Sequence, residues 1–427
     1  RKLRPMSTPA LSSLPNILEA EFWLRSSPDI EADLERYRRE EPIAFVPEPE
    51  LPPESPLQQG PGSWILTKHA DILEVSRTPE VFSSGSGITV LDQPREFEEF
   101  FSSMIAMDDP RHARLRRIVS AGFTPRMLKR LEDSVQDVAA KIVDDVAERG
   151  EVDFVVDVAA ALPLKIVCDL MGIPESEYHT VFECSNVILG AGDPEYVDAA
   201  DDILGAILNA GITLSTLMTE VAESKKGGDG TDLTSVLINA EIEDDELAPA
   251  DIASFFILLC VAGNETTRNA ISWGLQYLTE NPDQRAIWAA DFEGVAPTAV
   301  EEIVRLASPV TYMRRTLTRD YELRGQALSK GDKICMFYLA ANRDEEVFDD
   351  PYTFDVQRSP NNHVGFGGPG PHFCLGAHLA RREILVMFRE LFRRIPDIEA
   401  TAAPEPLASS FIHGAKHLPA RFSPVGV

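Results

Sequence analysis

The sequence predicts a mainly α-helical fold with a minor β component concentrated on its N-terminal side. Through most of the chain after residue 62, apolar residues recur at the 3.6-residue spacing of amphipathic helices. Runs that indicate β-strands are short, with candidates at 63–67 and 332–338. With 427 residues, of which 44% are hydrophobic, the chain can bury a sizeable core, and we expect one domain over residues 1–427.

The predicted elements begin with a proline-rich N-terminal segment, 1–62, which includes one short helix at 30–40. Amphipathic periodicity then predicts helices at 128–149 and 162–171, the second of which ends ahead of Pro174.

The longest predicted helix covers 249–281 and stops before Pro282. At a rise of ~1.5 Å per residue it would extend roughly 48 Å, enough to cross the whole molecule. Its stretch 255–262 is apolar on every face, which is typical of a helix buried through its middle. A last helix is predicted near 377–394, directly after a glycine-rich loop at 361–376, so that loop and helix together span 361–394.

The charge balance restricts the kinds of partner. The 69 acidic and 40 basic side chains give a formal net charge of −29, which argues against general binding to nucleic acid or to an anionic membrane. The fully apolar run 255–262 is far shorter than the ~20 residues of a membrane-spanning helix, so no membrane span is predicted. The basic residues at the start are not followed by an apolar segment, so no secretory signal is expected.

The cysteines are five in number and contain no C-x-x-C pair. This pattern supports neither a disulfide framework nor a four-thiolate zinc site, and it favours a cytoplasmic location. Four of them lie in apolar periodic runs and are expected to be packing residues: Cys168, Cys184, Cys260 and Cys335.

Cys374 differs from the other cysteines because it lies in the loop 361–376, just before a predicted helix. A helix N-terminus favours the thiolate form, and a sheltered thiolate suits an axial ligand of haem iron. The spacing Gly365-x-Gly367-x-x-Gly370 also fits a dinucleotide-binding fingerprint, but no strand precedes it, so a nicotinamide site is the weaker hypothesis.

A polar run interrupts the apolar part of the longest predicted helix. The Glu265 carboxylate is costly there unless it is paired or needed, and Gly263 leaves room for a close approach to the backbone. The Thr266 hydroxyl can turn back onto the carbonyl of Ala262 and bend the helix. An acid beside a hydroxyl at such a distortion can relay protons to a small ligand; a polar stripe facing another helix is the alternative.

A third pattern is Glu302-x-x-Arg305, on a short helix that Pro297 is expected to open. The spacing puts the carboxylate and the guanidinium on one helix face, where an exposed pair would contribute only about 0.3–0.5 kcal/mol. Arg358, shortly before the cysteine loop, is available as a third partner.

In this order and spacing, the segments resemble the cytochrome P450 haem-thiolate monooxygenases. The resemblance rests on 262–267, Glu302-x-x-Arg305, 354–358, the loop to Cys374 and the stretch 109–116, and it covers essentially the whole chain. It implies a helical prism that encloses haem b, with 249–281 on the distal side. It is closest to the actinobacterial branch that hydroxylates methyl-branched lipids and cholesterol side chains.

The resemblance also implies roles for individual residues. Cys374 would be the axial thiolate, and Thr266 with Glu265 would be the catalytic proton relay. The propionates of the haem would be bound by His112, Arg116, Arg315 and His372, with Ala262 and Phe366 as further haem contacts. A structural triad would be formed by Glu302, Arg305 and Arg358. Phe366 lies eight residues before Cys374, one more than in the common signature.

The implied substrate is a hydrophobic molecule, namely a methyl-branched lipid, an isoprenoid or a sterol side chain, hydroxylated at or near its terminal carbon. The expected pocket is lined by Leu258, Val261, Ala262 and Phe411, and by positions within 85–107, 187–192 and 310–313. The chain has no flavin or iron–sulfur motif, so electrons are expected from a ferredoxin and its reductase. A basic cluster that could orient the ferredoxin comprises Arg111, Arg114, Arg116, Arg117, Arg381 and Arg382.

Several alternatives remain open at this stage. The substrate could be another terpenoid or a polyketide-like molecule, and a haem-thiolate protein could also be a peroxygenase, an isomerase or a sensor. His413 and His417 have a metal-like spacing, but Gly414 and Pro419 argue against a helix there and so against a zinc site.

Overall fold

The computed structural model describes residues 9–51, 57, 59–123, 125–190, 193–198, 202–239 and 248–426. Part of the predicted proline-rich segment, including Pro52, Pro53 and Pro56, lies outside these residues, as does Gly192 of the expected pocket.

Helices make up most of the described chain, as predicted. In chain order they are α1 Ser27–Glu40, α2 His69–Arg77, α3 Arg95–Ser102, α4 Arg111–Gly122, α5 Pro125–Val146, α6 Ala161–Met171, α7 Tyr178–Gly190, α8 Ile203–Lys225, α9 Leu233–Ile238, α10 Pro249–Leu259, α11 Glu265–Glu280, α12 Pro282–Ala290, α13 Phe292–Ala307, α14 Tyr338–Ala341 and α15 Ala377–Arg394. The predicted helix at 377–394 is confirmed.

The longest predicted helix consists of three consecutive pieces. Between α10 and α11 the backbone forms a π-helical turn, Cys260–Asn264. The turn therefore includes Gly263 and ends one residue before Glu265, where the polar run interrupts the apolar one. Insertion of a π turn is a recognised cause of helix distortion, which agrees with the bend predicted from the sequence.

The strands are short and come from both halves of the chain. They are β1 Ile43–Val46, β2 Ser63–Leu66, β3 Phe82–Ser83, β4 Glu151–Asp153, β5 Tyr312–Leu317, β6 Tyr321–Leu323, β7 Gln326–Leu328, β8 Lys333–Phe337, β9 Glu399–Ala400, β10 Glu405–Pro406, β11 Ala415–His417 and β12 Pro419–Arg421. The largest sheet has the order β1-β2-β8-β5-β3, and the small sheets are β4-β12-β9, β6-β7 and β10-β11. The N-terminal strands are thus completed by β5 and β8.

Helix α13 begins earlier than the sequence predicted. It starts at Phe292, where the Asp291 side chain accepts a hydrogen bond of 3.1 Å from the Gly294 N–H, and Pro297 lies inside the helix. The expectation that Pro297 opens this helix is therefore wrong, because Asp291 caps the helix and the first helical residue is Phe292.

The helical core positions the cysteine loop against the interrupted helix. Helix α11 packs on α13 and on α15, and α15 also packs on α5. A single large cluster of buried apolar side chains runs through these helices.

Helix α8 satisfies the length and composition of a membrane-crossing helix, with a mean hydropathy of 1.3 in its most apolar window, of which 22% is buried. One such helix is weak evidence for a span.

Candidate active site

The centre of the candidate site is the π turn between α10 and α11. The Thr266 hydroxyl donates a hydrogen bond of 2.6 Å to the carbonyl oxygen of Ala262, as the sequence predicted. Ala262 is exposed and Val261 is half-exposed, whereas Leu258, one turn earlier, is buried. Ala262 is thus more accessible than Ile257 and Ala270, which are buried on the flanking helices.

Glu265 lies next to Thr266 but is held by its own helix. Its carboxylate pairs with the guanidinium of Arg268 and accepts a hydrogen bond of 2.9 Å from Asn269 Nδ2. Glu265 is 1% exposed, so both carboxylate oxygens are engaged in the interior. The structure therefore brings the acid and the hydroxyl of the predicted relay together, with the acid committed to an ion pair.

The cysteine loop brings Cys374 to the N-terminus of α15. The Cys374 N–H donates to the carbonyl oxygen of Phe366 at 3.0 Å. Burial raises the pKa of the Cys374 thiol, and a hydrogen bond from the Gly376 N–H together with the nearby cations Arg116 and Arg381 partly offsets that rise. The donors that favour a thiolate are therefore present as predicted, but burial is the larger effect on the free thiol.

The loop glycines are needed for packing against α2 and α13. A Cβ at Gly370 would lie 2.2 Å from the backbone oxygen of Ser76, and one at Gly365 would lie 2.8 Å from Val304 Cγ1. Real side chains cannot occupy such positions, so these glycines let the loop pack directly on two helices.

Phe366 is held by a cluster of charged side chains. The Arg381 guanidinium lies 4.3 Å from the centre of the Phe366 ring and also pairs with Glu301. Glu301 accepts a further hydrogen bond of 2.8 Å from His363 Nε2, and these two partners lower the pKa of Glu301 to about 2 despite its burial. Arg381 is therefore paired with Glu301 although 36% of its side chain is exposed, and this pairing makes it a weaker member of the predicted basic cluster.

Four basic side chains converge on the cysteine loop from α4, β5 and the loop itself. The rings of His112 and His372 lie 4.2 Å apart, and Arg116 Nη2 donates to the carbonyl oxygen of Phe373 at 2.5 Å. Burial, followed by Arg315, His112 and Arg116, lowers the pKa of His372 to about 3. Among the described residues, His112 Nε2 is one of the buried polar atoms that lack a partner.

This arrangement fits a group that carries carboxylates. His112 Nδ1 contacts Asp109 at 3.2 Å, but its buried Nε2 has no partner, and the buried Arg315 guanidinium donates to a backbone carbonyl oxygen. Anionic oxygens placed among these side chains would supply charge-assisted partners. A haem has two propionates for the four basic residues and an iron atom for the Cys374 sulfur. The residues present therefore fit a haem.

The predicted triad is assembled around the Glu302 carboxylate. Its two oxygens accept from Arg305 Nη2 and Nε at 2.7 and 2.8 Å, and Arg358 Nε donates to it at 3.1 Å. Arg305 also donates to the carbonyl oxygens of Asn342 and Pro351, so it joins α13 to the loops before the cysteine loop. Burial lowers the pKa of Arg305, whereas its contacts with Glu302 raise it.

The remaining predicted positions are spread around the site. Phe411 is half-buried, and its ring packs edge-on against Tyr312, 5.5 Å away. His413 stacks on Trp273 and bonds the Ala307 carbonyl oxygen, whereas His417 pairs with Asp153 and Glu195. No cluster of histidine, cysteine, aspartate or glutamate suited to a metal ion occurs within the described part of the chain.

Sequence reasoning missed the partners of the predicted residues. Arg268 lies three positions after Glu265, the same spacing that identified Glu302 and Arg305, so this pair could have been found. Asn269 lies four positions after Glu265 on the same helix, so its bond to Glu265 could also have been found from the spacing. Glu301 carries no local signal, because its partners His363 and Arg381 lie on other elements.

Comparison with known proteins gives the family. The cytochrome P450 family model matches residues 295–395, which include the triad glutamate and arginine and the cysteine loop. The chain is 49% identical over 406 residues to the methyl-branched lipid omega-hydroxylase of Mycobacterium tuberculosis, covering 94% of this chain and 93% of the relative. The chain belongs to the cytochrome P450 family. It is thus an oxidoreductase of the monooxygenase type, and the P450 family implies a haem-thiolate iron cofactor.

Two further P450 comparisons cover nearly the whole chain. The steroid C26-monooxygenase of Mycolicibacterium smegmatis is 39% identical over 417 residues, which cover 96% of this chain and 94% of the relative. The structure of Mycobacterium marinum cytochrome P450 CYP268A2 in complex with pseudoionone superimposes with a TM-score of 0.90 at 41% identity, covering 99% of this chain and 100% of the other. The P450 fold predicted from the sequence is confirmed.

Proposed function

We propose that this P450 hydroxylates a methyl-branched lipid, an isoprenoid or a sterol side chain at or near its terminal carbon. The observation that carries the proposal is that His112, Arg116, Arg315 and His372 gather at the loop of Cys374, while α15, which follows that loop, packs on α11, the helix of Thr266. Relatives named for lipid and steroid side-chain hydroxylation support the substrate class, at 49% and 39% identity.

The residues that would hold the haem are Cys374 at the iron and His112, Arg116, Arg315 and His372 at the propionates. When bound, the haem supplies the reductive activation of dioxygen. Ala262 and Phe366 would contact it from the two sides, since one lies on the exposed π turn and the other precedes the cysteine.

The overall reaction combines a C–H bond, one O₂, two electrons and two protons to give an alcohol and one water. Thr266 would hold a proton at its hydroxyl, which bonds the Ala262 carbonyl oxygen of the distorted turn and can exchange that bond for another. Glu265 would supply protons to it from the interior. Substrate would be oriented by apolar contact with Leu258, Val261, Ala262 and Phe411, since aliphatic and aromatic side chains exclude water from the reacting carbon.

Electrons would come from a ferredoxin and its reductase. Arg111, Arg114 and Arg117 line a concavity of about 550 Å³ on α4, the helix whose Arg116 bonds the cysteine loop. Arg111 also pairs with Glu99 at 2.7 Å, so it is a weaker member of this group. Basic side chains there would complement an acidic ferredoxin despite the net charge of the whole chain. Cytoplasmic location and the absence of nucleic-acid or membrane partners remain predictions from composition.

The test begins with the reduced protein and carbon monoxide. Haem-loaded protein should give a Soret band at about 450 nm, and Cys374→Ala should abolish it, whereas Cys184→Ala should retain it. A spectral-shift screen of methyl-branched acids, isoprenoids and sterols against the ferric protein then identifies the ligands that fit. Product analysis with ferredoxin, reductase and NADPH should find terminal alcohols, and the proposal is wrong if none of these chains is oxidised.

A further inference from the structure

The structure describes the whole loop 84–94, which joins β3 to α3 and contains neither a helix nor a strand. Its backbone groups therefore need partners other than those of regular secondary structure. Arg314 of β5 bonds this loop at four points. Its main-chain N–H donates to the carbonyl oxygen of Ile88 at 2.8 Å. Its guanidinium donates at 2.7, 3.1 and 3.4 Å to the carbonyl oxygens of Ser86, Thr89 and Leu91.

The end of the loop is held by two cations that share one carboxylate. Asp92 pairs with Arg314 Nη2 and with Lys333 Nζ, both at 2.7 Å. Lys333, on β8, also donates to the carbonyl oxygen of Val90 at 3.2 Å and pairs with Glu48 at 2.6 Å. Because the side chains of Glu48 and Lys333 are both buried, this ammonium is anchored in the interior. The loop is therefore attached to two neighbouring strands of the largest sheet.

The main chain of the loop passes close to the Arg314 guanidinium at Gly87. The φ of Gly87 is 104°, and an added Cβ would lie 2.7 Å from Glu98 Oε1 and 3.7 Å from Arg314 Nη1. Arg314 is 1% exposed, and its Nη2 also donates to Thr316 Oγ1 at 3.1 Å. A buried guanidinium is costly unless its donors are used, and most of these donors are directed at the loop. The position of Arg314 therefore determines the path of the loop.

Strand β5 connects the loop to the predicted pocket and to the cysteine loop. The Tyr312 hydroxyl accepts from the Val90 N–H at 3.2 Å, and the Tyr312 ring packs against Phe411, a predicted pocket residue. Arg315, the residue after Arg314, is one of the four basic residues at the cysteine loop. Because successive side chains of a strand point to opposite faces, one strand relates the loop on one face to the cysteine loop on the other.

We propose that Arg314 is a positioning residue that fixes residues 86–92 as one wall of the substrate pocket and thereby selects the carbon that is hydroxylated. The inference rests on the proposed function, because a selected carbon matters only if a hydrophobic chain is hydroxylated. Arg314 acts through the carbonyl groups and Asp92 of the loop and needs no contact with the substrate. Lysine cannot replace it, because a single ammonium group lacks the planar fork that reaches several acceptors at once.

The first measurement tests the attachment of the loop without any substrate. In haem-loaded, full-length Arg314→Lys, the amides of residues 86–92 should exchange with deuterium at least roughly tenfold faster than in the wild type, since hydrogen bonds to a charged group are lost. The matched control is Arg324→Lys, which disrupts a forked pair with Asp71 at 2.8 and 2.9 Å between β6 and β7. The control should keep the wild-type exchange in 86–92. Wild-type exchange in Arg314→Lys as well would overturn the inference.

The second measurement tests the selection of the carbon with phytanic acid as the probe. The dissociation constant comes from the Soret shift of the ferric protein, and product analysis follows turnover with ferredoxin, reductase and NADPH. For Arg314→Lys we expect a dissociation constant raised roughly tenfold, the effect of one lost hydrogen bond to a charged group, and a lower ratio of terminal alcohol to alcohols at neighbouring carbons. Both values are referred to the protein that gives the carbon monoxide band. A role in folding alone would lower only that amount of protein and leave both values unchanged.

The outcomes separate the inference from the proposed function. If the wild type and Arg324→Lys leave phytanic acid unoxidised, the proposed function fails at this substrate, and faster exchange in Arg314→Lys still supports the attachment of the loop. If both oxidise it and Arg314→Lys keeps the wild-type dissociation constant and product ratio, the positioning role is overturned. Asp92→Asn provides a second variant should Arg314→Lys fold poorly, because 51% of the Asp92 side chain is exposed. It should change the exchange and the product ratio in the same direction, and wild-type values of both would also overturn the inference.

Discussion

The Thr266 hydroxyl donates to the carbonyl oxygen of Ala262, four residues earlier, at 2.6 Å. The acceptor, Ala262, lies inside the π turn Cys260–Asn264, and Thr266 follows that turn by two residues. The hydroxyl therefore bonds a carbonyl group at the place where the regular pattern of α-helical hydrogen bonds is interrupted. A hydroxyl in such a position can leave its acceptor without breaking a regular helix bond, which suits a group that passes protons.

The first prediction concerns this hydroxyl. Thr266→Val keeps the shape of the side chain but removes the donor, and it should lower product formed per NADPH by about tenfold or more, with the excess reducing power released as hydrogen peroxide. Thr266→Ser keeps the donor and should stay within a few fold of the wild type. Parallel assays of NADPH consumed, peroxide and alcohol provide the measurement, and equal coupling in Thr266→Val would contradict the role.

The second prediction concerns the buried pair of Glu302 and Arg305, both of which are fully buried. Arg305→Leu removes the two shortest hydrogen bonds to the Glu302 carboxylate and leaves Arg358 as its remaining charged partner. It should lower the free energy of unfolding by about 3–5 kcal/mol, because a buried ion pair loses one of its members. Arg36→Leu removes one partner of an exposed pair and should change the free energy of unfolding far less, because solvent screens such pairs. Denaturant titration of both variants distinguishes them; similar costs would contradict the assignment.

The third prediction concerns the cysteine loop. Gly370→Ala would place a Cβ 2.2 Å from the backbone oxygen of Ser76, and a backbone atom cannot rotate away, so the loop must shift. We expect weaker haem retention and a free energy of unfolding lowered by about 1–3 kcal/mol, as for other overpacked sites. At Gly376 no atom lies within 4 Å of an added Cβ, so Gly376→Ala should be much milder. Haem loss to apomyoglobin and thermal unfolding provide the readouts.

The features that were predicted correctly depend on contacts between residues only a few positions apart in the sequence. The Thr266–Ala262 bond and the Glu302–Arg305 pair follow from i, i+4 and i, i+3 spacing on a helix. The same rule would also have paired Glu265 with Arg268. The helix at 377–394 was predicted from its place directly after the glycine-rich loop.

The features that could not be predicted from the sequence depend mostly on contacts between residues that are far apart in the chain. The commitment of Arg381 to Glu301 joins positions 80 residues apart, and no local pattern indicates it. The start of α13 was misplaced because proline favours a first helical turn, whereas the Asp291 cap already lay upstream. Strand β5 was not predicted, because the adjacent basic residues Arg314 and Arg315 interrupt the alternation of apolar and polar residues that indicates a strand.

The last prediction concerns Glu383, on α15, which the mechanism does not use. It is 3% exposed, and burial raises the pKa of Glu383 from 4.5 to about 8, although a hydrogen bond with Thr267 partly opposes the rise. The native state therefore keeps a proton that the unfolded chain releases above pH 4.5. The contribution of the Glu383 carboxyl group to the free energy of unfolding is fully present below pH 4.5. It is lost as the pH rises towards 8, by up to about 1.4 kcal/mol per pH unit.

Glu383→Gln keeps a neutral side chain of the same shape that can bond Thr267 at every pH. It should match the wild type near pH 4.5 and become progressively more stable than the wild type up to pH 8, so that the difference in unfolding free energy grows with pH. Glu322→Gln, at an exposed position on β6, should show no such growth. Denaturant titrations at several pH values between 4.5 and 8 measure the slope, and a difference that stays flat across this range would mean that Glu383 is ionised in the folded protein.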